Sequence, residues 1–328
     1  MPQNQFAARL NSFKVGAENY WKHKNSKVTT FDLIERAATV LGLNAVDLNY
    51  PDHLEGVTEA ETAAHLKACR MTLNGYAMRF YTDPDFKIGA FTHPDPAIRR
   101  KAIDLTKRGI DSMREVGGRI MTLWLGQDGF DYAFQADYRA LWEMEIAAIR
   151  EIADHDPAID ISLEYKPNEP RAFALLPDVA TTLLAIRDVE RPNLGVTLDF
   201  AHVLYADEMP ACAVAHVARH SRLLGLHLND AYGKRDDGLM AGSVHLQQTI
   251  ELLYALEGIG YDGVIYFDTF PDVGGIDPVA ESALNIDSVQ AMQKVVARLR
   301  AAPALERAIA SQDAIASQKI VHAAIFGL

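Results

Sequence analysis

The sequence predicts an α/β fold, a (β/α)8 TIM barrel with a C-terminal helical arm. Eight short apolar segments rich in β-branched residues have the pattern of buried strands, and helical patterns lie between most of them. No G-x-G-x-x-G turn follows the first segment, as an open dinucleotide-binding sheet would require. The 328 residues are enough for a barrel of roughly 250 residues with additional segments.

The predicted elements alternate along the chain. The strands are residues 13–16, 45–49, 71–76, 119–125, 159–165, 195–200, 223–229 and 263–270. Helices are predicted at residues 30–41, 96–116, 137–153, 179–186, 210–220 and 245–257, where apolar residues recur at helical spacing. The pattern is weakest in the first two strands and in the Pro- and charge-rich stretch 50–60.

The C-terminal segment has a different composition. After residue 276 the sequence is Ala-rich and helical, with apolar stripes longer than one helix on a barrel exterior needs. We therefore predict a catalytic barrel at residues 1–276 and a helical arm at residues 277–328. The arm is expected to contact another copy of the chain in a homotetramer or homodimer.

Composition excludes several classes of protein. The chain has 32 Lys and Arg against 44 Asp and Glu, a net charge of −12, which argues against binding to nucleic-acid phosphates. No apolar run reaches the length of about 18 residues needed to span a membrane, and the first residues do not resemble a secretory signal. Cys69 and Cys212 are the only cysteines, so neither a disulfide framework nor a thiolate zinc site is expected. These features predict a cytoplasmic protein without a membrane or nucleic-acid partner.

Four consecutive predicted strands end in acidic or imidazole side chains. These residues are Glu164, Asp199, His227 and Asp268. The carboxyl ends of barrel strands meet at one mouth, where active sites of this fold lie. Carboxylates gathered at such a mouth repel one another unless a cation neutralises them. Three carboxylates and one imidazole suit Mn²⁺, Co²⁺ or Mg²⁺ better than a thiolate-preferring metal, and Mn²⁺ is the expected ion.

A second cation site is suggested by residues close to the first. His202 follows Asp199 by three residues, and Asp236 and Asp237 lie in the loop after the seventh strand. A second cation bridged by Asp199 and held by His202 and Asp236 is one hypothesis, with Asp237 as the substitute ligand. A solvated acidic loop is the alternative.

Two further residues fit a sugar site. Lys166 lies two residues after Glu164, where an ammonium group would hold a sugar oxygen and stabilise developing negative charge. Trp124 ends the fourth strand and would form a flat apolar wall against the CH face of a polyol. A surface lysine and a core tryptophan are the structural alternatives.

These motifs resemble the xylose isomerase-like TIM barrel superfamily. The segment at 164–171, Glu-Tyr-Lys-Pro-Asn-Glu-Pro-Arg, is similar to the fifth-strand signature of xylose isomerases. The segments 86–92, 95–99 and 124–129 resemble that family's third- and fourth-strand loops. The segments 198–202, 227–230 and 236–243 are closer to bacterial L-rhamnose isomerase. The resemblance covers the chain from about Ala45 to Phe270.

The resemblance implies a two-metal aldose–ketose isomerase acting on a free pentose, hexose or deoxyhexose. One metal would hold two adjacent sugar oxygens and the other would polarise the carbonyl, while hydride passes from C2 to C1. By position, the first metal would take Glu164, Asp199, His227 and Asp268, and the second Asp199, His202 and Asp236. The implied catalytic residues are Lys166, Asp236 and Asp268. Trp124, Asn49, His53 and Lys166 would contact the sugar.

The sequence departs from the resemblance at two positions. Asn49 stands where xylose isomerases carry the histidine that assists ring opening, and His53 follows four residues later. Gly238 stands where the last acidic ligand of the second metal would be. One metal site is therefore expected, and the second stays open.

Other functions compete with isomerisation. A ketose 3-epimerase of the same superfamily uses one metal and two glutamates, but here the eighth strand ends in Asp268, and Lys166 has no obvious role in epimerisation. A hydroxypyruvate isomerase and an inositol-pathway dehydratase are close variants. A DNA-repair endonuclease would need a basic groove, and a non-catalytic sugar-binding barrel would leave the carboxylates unexplained.

Overall fold

The computed structural model describes residues 5–15 and 28–328, and its central feature is a closed barrel. Its strands are parallel and follow the order β1-β10-β9-β8-β6-β4-β3-β2. The barrel strands are β1 Phe6–Arg9, β2 Leu43–Tyr50, β3 Thr72–Met78, β4 Ile120–Trp124, β6 Asp160–Glu164, β8 Leu194–Asp199, β9 Leu223–Leu228 and β10 Ile265–Phe267. Two short strands, β5 Gly129–Phe130 and β7 Phe173–Ala174, pair antiparallel outside it. The predicted (β/α)8 fold is confirmed.

Helices surround the barrel and continue after it. They are α1 Thr30–Ala37, α2 Glu59–Ala68, α3 Pro96–Val116, α4 Tyr138–Ala153, α5 Val179–Val189, α6 Phe200–Tyr205, α7 Pro210–His220, α8 Leu246–Gly258, α9 Pro271–Gly274, α10 Pro278–Arg300, α11 Pro303–Ala310 and α12 Ala314–Phe326. Short 3-10 helices lie at Leu10–Lys14, Asp52–Leu54 and Pro84–Phe86. Among the described residues, no helix combines the length and the hydropathy that a membrane span requires.

The first strand was predicted in the wrong place. Phe13 is fully buried, but it lies in the 3-10 helix Leu10–Lys14 that follows β1. Gly16, the end of the predicted strand, lies outside the described residues. The true strand has the sequence Phe-Ala-Ala-Arg, whose alanines give little β signal. Pairing with β2 on one side and β10 on the other makes it a strand, because it closes the barrel.

The helix α2 was not predicted. Only Thr62 and Leu66 of this helix are buried, so it has almost no apolar stripe. Its start is set by a capping box, in which the Thr58 hydroxyl accepts from the Glu61 backbone N–H and the Glu61 carboxylate accepts from the Thr58 N–H. Local capping and its packing against α3 therefore define a helix that periodicity does not reveal.

The main apolar core lies between the strands and the surrounding helices, whereas the barrel interior is filled by small and polar side chains. Ala7, Ala45 and Tyr266 form a small cluster inside the barrel. The hydroxyls of Ser162 and Thr197 share a hydrogen bond of 2.6 Å in the buried interior. This filling leaves space for polar groups at the carboxyl ends of the strands.

The C-terminal helices differ in their contacts with the barrel. Helix α10 buries Ile286, Val289 and Val296, and the Asn285 side chain accepts a hydrogen bond of 2.9 Å from the Ala241 N–H. Helix α12 has no fully buried residue, and Ile315 is 81% exposed. The proposed division at residue 276 and the role of the arm in assembly stay predictions.

Candidate metal and substrate site

The predicted ligands are positioned by neighbouring barrel strands. Glu164 is the last residue of β6, Asp199 ends β8, His227 lies in β9, and Asp268 directly follows β10. The register pairs Asp199 with His227 and Trp124 with Glu164. Strand closure therefore brings residues more than 100 positions apart in sequence to one mouth.

The four predicted ligands of the first metal form one cluster. Each offers one donor atom, and the four atoms all lie within 4.8 Å of one another. His227 Nδ1 lies 3.2 Å from Glu164 Oε1 and 3.9 Å from Asp199 Oδ2. Among the described residues, this is the only such group of three or more His, Cys, Asp or Glu side chains.

The charges of the cluster are unbalanced without a cation. Burial raises the pKa of the Asp199 carboxyl to about 7, and the neighbouring carboxylates add to the shift. Burial opposes a positive charge on His227, yet Glu164, Asp268 and Asp199 outweigh it and raise the pKa of the imidazole to about 10. The site thus draws a proton onto His227 to offset the negative charge. A divalent cation would offset the same charge, and oxygen and imidazole donors fit a hard or borderline cation.

Asn229 holds the ligands in place from behind. Its side-chain amide donates to both oxygens of Asp199, at 3.3 and 3.2 Å, and to the backbone carbonyl of Asp268 at 3.1 Å. Its carbonyl accepts from the Ala201 N–H at 2.8 Å. One buried amide therefore links the ends of β8 and β10, a contact that sequence reasoning did not assign.

The residues of the second predicted site also lie close together. His202 Nε2 is 3.2 Å from Asp236 Oδ2, and His202 Nδ1 is 3.6 Å from Glu164 Oε1. Burial opposes a charge on His202, but Asp199 and Asp236 raise its pKa to about 9. Two buried atoms, His202 Nδ1 and Asp236 Oδ1, have no hydrogen-bond partner among the described residues. The set is compatible with a second cation, but it lacks the compact geometry of the first.

The loop after β9 explains the departure at Gly238. This residue has φ +57°, and a Cβ there would lie 2.3 Å from the Phe270 ring. An acidic side chain is therefore excluded on steric grounds. Asp237 is already engaged, because it accepts from the Tyr232 N–H at 2.9 Å and from Arg235 Nε at 2.7 Å.

Lys166 and Trp124 line the same cavity as the carboxylate cluster, which has a volume of about 320 Å³. Lys166 Nζ lies 3.1 Å from Asp236 Oδ2, 3.0 Å from Glu169 Oε2 and 5.5 Å from the centre of the Trp124 ring. Burial disfavours the ammonium group, but the two carboxylates outweigh it and raise the pKa of Lys166. A buried lysine held beside the ligand cluster is not a surface residue.

Asn49 and His53 are brought to different places. Asn49 lines the cavity of the cluster, whereas His53 lines an adjoining cavity of about 920 Å³ that contains none of the four ligands. The His53 ring accepts at Nδ1 from the Asn49 N–H at 3.0 Å and donates from Nε2 to Asn11 Oδ1 at 2.8 Å. Burial lowers the pKa of His53 to about 3. The geometry makes His53 a support for the Asn49 backbone, and its predicted contact with the sugar stays a prediction.

The cavity is also lined by residues that were not predicted. They are Arg9, Ala77, Met78, Arg79, Tyr81, Glu169, Tyr266 and Phe270. Arg9 ends β1 and was missed because that strand was misplaced. Arg79 directly follows β3, but the predicted strand ended at residue 76, two residues before β3 ends, so the test of strand-end polar residues missed it.

Comparison with known proteins places these features in a family. Residues 34–296 match the model of the xylose isomerase-like TIM barrel family. The xylose isomerase of Thermus thermophilus is 33% identical over 194 residues, which are 57% of this chain and 50% of that protein. The chain thus matches about half the length of this curated relative.

Solved structures share the fold at low sequence identity. A D-tagatose 3-epimerase-like protein has a TM-score of 0.67 and 17% identity, covering 89% of this chain and 98% of its own. A xylose isomerase domain protein from Alicyclobacillus acidocaldarius has a TM-score of 0.64 and 15% identity, covering 88% and 97%. At these identities the likeness supports the fold alone.

Proposed function

Because the chain belongs to the xylose isomerase-like TIM barrel family, we propose that it is a metal-dependent aldose–ketose isomerase acting on a monosaccharide by metal-assisted hydride shift. One observation carries this proposal. Lys166 and His202 both contact Oδ2 of Asp236, at 3.1 and 3.2 Å, directly beside the four-ligand cluster. The isomerase proposal gives each of these residues a role, whereas Lys166 has no obvious role in proton transfer at C3.

The proposal gives each residue a role. Glu164, Asp199, His227 and Asp268 would hold a divalent cation, with Mn²⁺ the expected ion, and the bound cation would supply Lewis acidity and orient adjacent sugar oxygens. Lys166 would donate hydrogen bonds to the sugar oxygen that gains negative charge. Asp236 would hold the Lys166 ammonium in place and accept a hydroxyl proton. Trp124, packed beside Lys166, would exclude water from the reacting carbons.

The competing function is a ketose 3-epimerase, favoured by the names of several structural neighbours. Epimerisation would use the two carboxylates that flank the metal site, Glu164 and Asp268, as opposed acid and base. Arg9 Nε lies 3.9 Å from Asp268 Oδ1, which holds that shorter carboxylate toward β1. This contact, together with the unused Lys166, supports isomerisation over epimerisation.

The experiment that tests the proposal follows hydrogen in the product. Metal-stripped protein is incubated with and without added Mn²⁺ against a panel of aldoses and ketoses in D2O, and the products are analysed by NMR. We expect Mn²⁺-dependent aldose–ketose exchange in which the transferred hydrogen is retained. Deuterium at C3 would identify an epimerase, and Mn²⁺ binding without turnover of any sugar would contradict both activities.

A further inference from the structure

An arginine without an ion-pair partner among the described residues lies at the mouth of the barrel, in the same cavity as the ligand cluster. Arg79 directly follows β3, and its backbone N–H donates to the Tyr50 carbonyl at 3.0 Å. Its guanidinium carbon lies 4.6 Å from the centre of the Tyr81 ring, and Tyr81 packs edge-on against Trp124 at 5.6 Å. Arg79 thus stacks on Tyr81, which itself packs against Trp124 of the site.

Arg79 differs from the other Lys and Arg side chains that line this cavity. Lys166 is paired with Asp236 and Glu169, and Arg9 is paired with Asp272 at 2.8 Å and Asp268 at 3.9 Å. In the described part of the chain, no carboxylate lies within 4.0 Å of the Arg79 guanidinium. Its Nε is buried and has no hydrogen-bond partner. A partly buried guanidinium without a counter-charge is costly unless a ligand supplies one.

The carboxylate of Asp52, on which the charge of Arg79 acts, does not fill that role. Asp52 interacts electrostatically with Arg79, but the two side chains are not within ion-pair distance. Asp52 instead accepts a hydrogen bond of 3.4 Å from the Thr82 hydroxyl and lines the adjoining cavity. Among the described residues, Arg79 therefore has no carboxylate partner, and it lines the cavity of the ligand cluster.

The strand order places Arg79 opposite the metal ligands. In the closed order, β3 is four strands away from β9 in either direction, so Arg79 and His227 lie on opposite sides of the mouth. A substrate whose carbonyl end lies at Glu164, Asp199 and His227 would extend its far end toward Arg79. The cavity thus has the predicted metal ligands at one end and a guanidinium group at the other.

We propose that Arg79 binds a carboxylate at the end of the substrate remote from its carbonyl, so that the substrate is a sugar acid rather than a neutral sugar. This inference rests on the proposed function and replaces the expected neutral monosaccharide. A guanidinium fork matches the two oxygens of a carboxylate. A phosphate dianion fits less well, because Arg79 is the only unpaired Lys or Arg among the described cavity residues.

The test compares matched ligands that cannot isomerise. L-galactonate carries a carboxylate, galactitol is its neutral counterpart, and glucitol 6-phosphate carries a phosphate. Binding to the Mn²⁺-loaded protein is measured by calorimetry for wild type, Arg79→Met and Arg79→Lys. Lys87→Met is the control, because Lys87 is an exposed cation that lines a neighbouring cavity. Melting temperatures of all variants verify that they fold.

We expect wild type and Lys87→Met to bind L-galactonate at least tenfold more tightly than galactitol. Arg79→Met should abolish that preference, and Arg79→Lys should restore part of it. Equal binding of the acid and the alditol would overturn the inference, as would a preference that persists in folded Arg79→Met, since the metal alone would then explain it. Arg79-dependent binding of glucitol 6-phosphate tighter than that of L-galactonate would overturn the carboxylate assignment.

Turnover separates this inference from the isomerase proposal. Exchange of galactose but not galacturonate would overturn the sugar-acid inference and leave the isomerase standing. Arg79-dependent binding of the acid without exchange of any aldose would support the anion subsite and contradict the isomerase.

Discussion

The Nζ atom of Lys166 lies 3.1 Å from Oδ2 of Asp236, although the two residues are 70 positions apart in sequence. If this ion pair holds the group that stabilises charge on the sugar, Lys166→Met should lower kcat by about 10²- to 10³-fold, the usual effect of removing one such donor. Mn²⁺ affinity should change little, because Lys166 is not a ligand. Steady-state kinetics and Mn²⁺ titration of the same preparation check both points. Unchanged turnover would contradict the assigned role.

Replacing Asn229 by Ala should weaken the first metal site without removing a ligand. The amide orients Asp199 and the end of β10, and loss of such a supporting contact costs about 10- to 100-fold in metal affinity. The matched control is Asn193→Ala, which removes another buried amide that binds the carbonyls of Ala153 and Ile159. Calorimetric titration with Mn²⁺ should separate the two variants. Equal affinities would show that Asn229 is only a packing residue.

Introducing an acid at Gly238 should destabilise the protein rather than build a second metal site. The Cβ would overlap the Phe270 ring, and the residue has φ +57°. Backbone strain of this kind costs about 1–3 kcal/mol, and the overlap adds to it. Gly260→Asp is the control, because Gly260 has φ +71° with nothing within 4 Å of the added Cβ. Urea denaturation should show the larger loss for Gly238→Asp, and a stable variant that binds a second Mn²⁺ would contradict the steric explanation.

His53 should stay neutral while the chain is folded. Its folded pKa is about 3, below the ordinary 6.5. Below pH 6.5 His53 is therefore protonated in the unfolded chain but stays neutral in the folded chain. As a result, the free energy of unfolding decreases as the pH falls toward 3. The loss is about 1.4 kcal/mol per pH unit, so roughly 2 kcal/mol disappears between pH 6.5 and 5.

This loss can be isolated by substitution. His53→Gln should reduce the pH dependence of the free energy of unfolding by that amount, whereas His220→Gln, at an exposed position, should leave it unchanged. Urea denaturation at several pH values provides the measurement. An unaltered slope in His53→Gln would show that the ring is protonated in the folded chain.

The exposed apolar face of α12 gives a test of assembly. Ile315 is 81% exposed and Phe326 67% exposed, and Lys319 is the only Lys, Arg, Asp or Glu in the helix. If this face contacts a second copy, Ile315→Lys with Phe326→Lys should lower the molar mass in solution to that of the monomer. Leu41→Lys, at a residue outside α12 that is 93% exposed, should have no effect. Light scattering after gel filtration measures the molar mass of each variant. A monomeric wild type would contradict the predicted contact.

The strongest predictions came from residues whose role is set by local sequence. Apolar runs followed by Glu164, Asp199, His227 and Asp268 indicated both buried strands and a polar mouth, and the structure gathers these four side chains within 4.8 Å. In a parallel barrel every strand exposes its carboxyl end at one face, so the position of a residue at a strand end predicts its location.

The errors fall where tertiary contacts override local preference. The alanines of β1 become a strand only because β2 and β10 flank them, and α2 depends on a capping box and on its packing against α3. Hydrophobic periodicity and charge patterns are local properties of the sequence, so they do not identify partners that are distant along the chain.

By itself, the sequence determined the barrel, the order of most elements and the identity of the four clustered donors, because hydrophobic period and strand-end chemistry are local properties. Only the tertiary structure decided which polar and charged side chains of the site have partners within the protein. It pairs Lys166 with Asp236, engages His53 with the Asn49 backbone and leaves Arg79 without a carboxylate partner among the described residues. Pairing depends on distances of a few ångströms between residues remote in sequence, and only chain closure sets those distances.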